Sequence, residues 1–417
     1  QQTLVGEAAQ LGDHVVMAIG RNGGLDDAGE LPGEPTHVAP VPAPACFRDD
    51  AGNGLDEAWT VVSQHGQHQR AHNGTLPASR GSRRRARRGG VGHDDDSAVG
   101  SNARGRLGRC DREARMDALR TPDECFEALP DFDVVAHYAQ ISDGHGGDVR
   151  VGHVDEGPAD NAPVLLMHGE PSCSFLYRHM IPVLVGAGHR VVAPDLVGFG
   201  RSDKPPEQSD YTDAAHVAWM QELLFDRLDL DGITFFGQDW GGLVGLRLVA
   251  ARPERFDRVA IGNTGLPTGD ATPSEAFMNW QKFSQEASEF PIGLIVNGGC
   301  VSDLSSDVVA AYDAPFPDDT FKAGARIFPS LVPTRPDDPA SDDNRAAWSV
   351  LEQFDRPFLL CFSDSDPVTS GGERIFRRRV PGTHGQPHTT IVGGGHFLQE
   401  DKGAELAAVL NSFIASG

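Results

Sequence analysis

From about residue 130 to the C-terminus, short apolar runs alternate with stretches of helical apolar period. Val134–Ile141 and Val149–Val154 read as two strands joined by the Gly-rich turn Asp143–Gly147. Val164–Met167 is wholly apolar and stops at His168-Gly169, which predicts a strand buried on both faces. Val191–Ala193 repeats the pattern and stops at Pro194-Asp195. Ala214–Leu228 carries apolar residues at Val217, Met220, Leu224 and Leu228, the spacing of one helix face. Ile233–Phe236 reads as a strand, and Gly242–Ala251 as a helix stopped by Pro253. Val259–Ile261, Phe358–Phe362 and Thr389–Val392 are three more strands, and Ala404–Ile414 is an amphipathic helix. Strand and helix in alternation predict a mostly parallel sheet with helices on both faces. Between about 267 and 345 the rhythm changes: Pro, Phe, Asp and Gly are frequent and no strand is evident, so a helical insertion is expected there.

The first 115 residues break this picture. They hold 14 Arg and no Lys against 15 Asp+Glu, and their apolar periodicity is weak. The cluster Arg83-Arg84-Arg85-Ala86-Arg87-Arg88 has the look of a nucleic-acid tail, but Asp94-Asp95-Asp96 follows and largely cancels it. Such a composition buries too little apolar surface to offset chain entropy. The expectation is an upstream extension ahead of a start at Met116, or a disordered tail. The core is then expected over 116–266 and 346–417, with the insertion at 267–345.

Charge narrows the partners. Residues 116–417 carry 22 Lys+Arg against 45 Asp+Glu, and a surface that acidic repels nucleic acid and anionic lipid. No apolar run approaches the ~20 residues that span a bilayer. The six Cys (Cys46, Cys110, Cys125, Cys173, Cys300, Cys361) form no C-x-x-C pair, so a zinc or redox motif is not supported and a reducing, cytoplasmic setting is expected.

The sharpest chemical signal is Gly237-Gln238-Asp239-Trp240-Gly241-Gly242, between a strand and a helix. Small residues two before and two after the central position fit a nucleophile elbow, in which the backbone turns tightly and lifts one side chain to the top of the sheet. Here that side chain is Asp239. A carboxylate is ionised at neutral pH and needs no base to attack a saturated carbon. The ester it forms must then be hydrolysed, which calls for a histidine and an acid further along the chain. His396 follows Gly393-Gly394-Gly395 after the last strand, and Asp366 or Asp364 follows the strand Phe358–Phe362. Asp366, further from the strand, is the first choice. The loop Gly262-Asn263-Thr264 has no carboxylate to offer. His168-Gly169-Glu170-Pro171 sits where an oxyanion-hole N–H from Glu170 is expected, with a second from Trp240.

These residues together resemble the haloalkane dehalogenases of the α/β-hydrolase superfamily, in the branch with HGEP after the third strand and the acid after the penultimate one. The resemblance runs from about Met116 to the C-terminus and includes HGEPSCSFLYRHMIPVL, PDLVGFGRSDKP, GQDWGG, APFPD, FSDSDPVT and GGGHF. It implies an α/β-hydrolase fold with a helical cap, Asp239 as nucleophile, His396 as base and Asp366 as its orienter. It also implies halide held by the indoles of Trp240 and Trp280, Phe277 lining the pocket, no metal or organic cofactor, and a haloalkane and water as partners, in a monomer. Cys173 departs from the family, which has Trp there, and it is expected to reshape the pocket. An epoxide hydrolase is the nearest alternative, but only Tyr312 of the four Tyr falls in the insertion where ring-opening acids belong. A non-catalytic binding module is the other, and it predicts a closed pocket or a broken triad.

Overall fold

In a computed structural model, residues 116–416 are described; the expectations for residues 1–115 lie outside them. Eight strands form one sheet: β1 Ala136–Ser142, β2 Asp148–Glu156, β3 Pro163–Met167, β4 Arg190–Pro194, β5 Ile233–Gln238, β6 Phe256–Gly262, β7 Phe358–Ser363 and β8 Thr389–Ile391. Their order is β1-β2-β4-β3-β5-β6-β7-β8. β1/β2 and β2/β4 pair antiparallel, and every pair from β4 through β8 is parallel. Each of the eight expected strands is present. The β1–β2 turn closes because the Asp143 carboxylate accepts the N–H groups of His145 (2.7 Å) and Gly147 (2.8 Å). Every residue of β3 and β5 is buried, as strands covered on both faces must be.

Ten α-helices are present among the described residues. Those on the core side are α1 Ile181–Gly186, α2 Asp213–Gln221, α3 Trp240–Ala251, α9 Glu373–Arg379 and α10 Leu398–Ala415. Thr212 caps α2 by accepting the Ala215 N–H (3.0 Å). The single helix expected to Leu228 instead ends at Gln221 and widens into a π-turn over Glu222–Arg227. The consecutive residues Leu223, Leu224 and Phe225 are all buried there, and a wider turn spreads three neighbours over less of the circumference than an α-turn does. The last helix also starts earlier than its apolar period showed, and it bends at Lys402.

Five helices lie between β6 and β7: α4 Glu275–Glu286, α5 Ile292–Gly298, α6 Ser306–Asp313, α7 Ala323–Leu331 and α8 Ser341–Leu351. α8 packs on α3, tied by Arg247, which donates to Asp213 (2.8 Å), Asn344 (3.1 Å) and Asp343 (2.9 Å). No helix among the described residues is long and apolar enough to cross a membrane.

A buried polar knot joins this segment to the core. The Arg178 guanidinium grips the Glu400 carboxylate (Nη2 to Oε2, 2.6 Å), and the Tyr312 hydroxyl of α6 donates to the same carboxylate. Both charged side chains are almost fully buried. Truncating one partner leaves the other charge unpaired in a medium that solvates it poorly. Glu400→Ala is therefore expected to cost about 3–5 kcal/mol in urea unfolding. A loss near 1 kcal/mol, as for an exposed pair, would show that water reaches the knot.

Candidate active site

The carboxyl ends of β3, β5, β6, β7 and β8 converge on one cavity, where ligands of parallel α/β sheets bind. At the end of β5 the chain turns sharply: Asp239 has φ 50° and ψ −125°, a conformation that L-residues adopt only under constraint. The constraint is visible. The Asp239 N–H donates to the Asn263 carbonyl (3.0 Å), and the Thr264 hydroxyl donates to the Asp239 carbonyl (2.7 Å). The elbow also needs its glycines. A Cβ on Gly241 would lie 1.9 Å from the Met167 carbonyl oxygen, and one on Gly169 would lie 2.4 Å from the Asp239 side chain.

The Asp239 carboxylate is held from two sides. The Glu170 N–H donates to Oδ1 (2.8 Å), and His396 Nε2 stands 3.7 Å from Oδ2. His396 Nδ1 is 3.2 Å from Asp366 Oδ1. Asp366 also accepts the Val368 N–H (2.9 Å), the Thr369 N–H (3.2 Å) and the Thr369 hydroxyl. Burial alone would raise the Asp366 carboxyl, but His396 and these hydrogen bonds hold it below the usual carboxylate range. Asp364, the other candidate, is exposed and accepts the Gly393 N–H (2.8 Å), away from the imidazole. Burial opposes a charge on His396, yet Asp366 and Asp239 outweigh it and push the imidazole up to about 10.

Glu170, Trp240, Phe277 and Trp280 line the cavity with Asp239 and His396, around about 480 Å³ of empty space. The Trp240 ring is fixed from behind by Phe328 (centroids 4.5 Å apart), and its N–H, in the first turn of α3, is free of the helix's own ladder. Trp280 packs with Phe283 and Phe290 in a cluster of three rings, at 5.9 and 5.7 Å. Cys173 is not part of this lining. It begins the 3-10 turn Ser174–Tyr177 and faces a separate cavity of about 200 Å³, shared with Phe132, Asp195 and Arg201. Its expected place in the substrate pocket is thus corrected: the turn carries the side chain away from Asp239.

Two residues without an assigned role prove central. Gln238, the last residue of β5, donates to the His396 carbonyl (3.1 Å) and stands 3.2 Å from its Nε2. The Asn263 amide donates to Ser363 Oγ (2.8 Å), the Gly395 carbonyl (2.8 Å) and the His396 carbonyl (3.0 Å). It thereby joins the elbow, the acid loop and the histidine loop. The signal for Asn263 was its place at the end of the strand next to β5; a search restricted to carboxylates passes over it.

Comparison with known proteins places the chain at two levels. Residues 162–403 match the family described as alpha/beta hydrolase fold, which makes the chain an α/β-hydrolase. It is 58% identical over 299 residues to the haloalkane dehalogenase of Psychrobacter cryohalolentis K5, covering 72% of this chain and 98% of that one. It is 48% identical over 292 residues to haloalkane dehalogenase 1 of Mycobacterium tuberculosis H37Rv, covering 70% and 97%. The solved structure of the haloalkane dehalogenase DpaA from Paraglaciecola agarilytica NO2, described as tetrameric, superposes with a TM-score of 0.66 at 35% identity, over 72% of this chain and 98% of that one. The chain belongs to the haloalkane dehalogenase family.

Proposed function

We propose that the protein hydrolyses carbon–halogen bonds of haloalkanes through an ester on Asp239. The observation that carries this reading is one carboxylate on a strained elbow, with Oδ1 on the Glu170 N–H and Oδ2 facing His396, in a cavity lined by two tryptophans. Asp239 attacks the halogen-bearing carbon in line. The carbon–halogen bond breaks, and the halide leaves toward the indole N–H groups of Trp240 and Trp280, uncharged donors suited to a large anion in a dry pocket. Alkylation removes the negative charge of Asp239, and with it part of what holds the proton on His396. The imidazole, oriented by Asp366, gives that proton up and then takes one from a water that attacks the ester carbonyl. The N–H groups of Glu170 and Trp240 stabilise the oxyanion. Alcohol, halide and a proton leave.

Tyrosine placement supports this reading over epoxide opening. The hydroxyls of Tyr177, Tyr211 and Tyr312 donate to Met167, Pro205 and Glu400, and no Tyr lines the cavity. The buried thiols of Cys173 and Cys361 fit a reducing cytoplasm. For the assembly, the expected monomer stands against the tetramer described for DpaA. The test is bromide release from 1-bromobutane and 1,2-dibromoethane, with styrene oxide as the epoxide arm. Bromide with matching alcohol is expected, and no diol. Diol without bromide would replace the dehalogenase by an epoxide hydrolase.

A further inference from the structure

The mechanism uses the backbone of Glu170 and leaves its side chain without a task. That side chain is buried, it lines the catalytic cavity, and its Oε1 has no hydrogen-bond partner. Buried carboxyl oxygens in native proteins are nearly always satisfied, and the exceptions gather at functional sites. The groups facing it are few. Asp239 approaches from the elbow and His396 from the last loop, with Asp366 behind His396; the indole of Trp280 on α4 lies within hydrogen-bonding reach of the carboxyl. Trp240 brings a second indole N–H, and the rest of the lining is apolar.

Trp280 is thus asked to do two things. With halide bound, its single N–H points at the anion, and the Glu170 carboxyl is the other acceptor beside it in the cavity lining. An indole has one donor and cannot serve both fully. We propose that the Glu170 carboxyl and the product halide compete for the indole N–H of Trp280, so that Glu170 keeps the halide from being held too tightly. This rests on the reading of the cavity as a haloalkane site. Glu170 is then a positioning residue, acting through Trp280 on the release of product.

The charge state of Glu170 sharpens the competition. Burial, and next the neighbouring Asp239 charge, push its carboxyl well above the usual carboxylate range, with His396 and Trp280 pulling the other way. Its ionisation is thus deferred to higher pH than that of an ordinary carboxyl. Raising the pH ionises Glu170 and sets a second anion beside the halide, so halide affinity falls. His396 loses its proton as well at high pH, and that contribution is common to wild type and Glu170 variants.

The experiment is bromide titration followed by tryptophan fluorescence, with Trp240 as the reporter that remains in Trp280→Phe. Glu170→Ala removes the competitor and is expected to bind bromide about 3- to 10-fold tighter, the weight of one hydrogen bond. In a Trp280→Phe background the same substitution is expected to change nothing. Glu170→Gln still offers a carbonyl to Trp280 but cannot ionise. It should match wild type at low pH and bind bromide progressively tighter than wild type as the pH rises. Unchanged or weaker binding in Glu170→Ala, or an equal effect with and without Trp280, overturns the competition. If Glu170→Ala does not fold, the Glu170→Gln pH curve decides, and a curve parallel to wild type overturns it. The same wild-type sample is given 1-bromobutane. Bromide release with no effect at Glu170 overturns this inference alone, whereas folded wild type that neither binds nor releases bromide overturns the dehalogenase reading beneath it.

Discussion

His396→Gln is expected to release one halide per molecule and then stop. The first displacement needs only the Asp239 carboxylate and the indole donors, none of which depends on the imidazole's basicity. The second step needs a base on water, and general-base catalysis contributes about 10²–10⁴-fold. Gln keeps much of the volume beside Gln238 and Asn263, and the backbone bonds from His396 N–H to the Gly299 carbonyl (2.7 Å) and from the Asn263 amide remain. Mixing the variant with excess 1-bromobutane should show a stoichiometric bromide burst and a protein mass raised by one butyl group on Asp239. No burst would mean that the histidine is needed to hold Asp239 in place; undiminished turnover would mean that it is not the base. In the wild type, ester hydrolysis is expected to speed up as pH rises toward the imidazole pKa of the ester state. That value lies below the resting one of about 10, because Asp239 no longer bears a charge.

Distance from the main chain signal explains which parts of this site could be read in advance. The strands were legible because each is a run too apolar to lie anywhere but inside, and β3 and β5 are buried at every position. Asp239 was legible because an elbow imposes a residue pattern on the backbone itself, as the clash of a Cβ on Gly241 shows. His396 and Asp366 followed from their places after β8 and β7. The choice of Asp366 over Asp364 depended on how the loop coils, which two residues of spacing do not encode. Gln238 and Asn263 escaped because their value lies in touching loops more than 100 residues away. Cys173 shows the opposite failure. The resemblance placed it in the pocket, where the family has Trp, and one 3-10 turn took it out. The Glu400 knot was equally hidden, since its partners come from three distant segments.

Asp239→Ala separates catalysis from stability. Without a nucleophile neither step can begin, so both the burst and the turnover seen with 1-bromobutane are expected to vanish, by at least about four orders of magnitude. This differs from His396→Gln, where the burst survives, and the pair of variants orders the two steps. The fold should not suffer. In the wild type the Asp239 carboxylate sits beside the buried Glu170 and occupies a positive-φ position, two unfavourable circumstances retained for function. Ala removes the first but keeps the backbone strain; Gly removes both. Asp239→Gly is accordingly expected to unfold at higher urea than Asp239→Ala, by about 1 kcal/mol. Equal stability of the two would mean that the bonds from Asn263 and Thr264 fully offset the strain at the elbow. Residual bromide release by either variant would move the nucleophile elsewhere in the cavity, and among the described residues Glu170 is the one other carboxyl group that lines it.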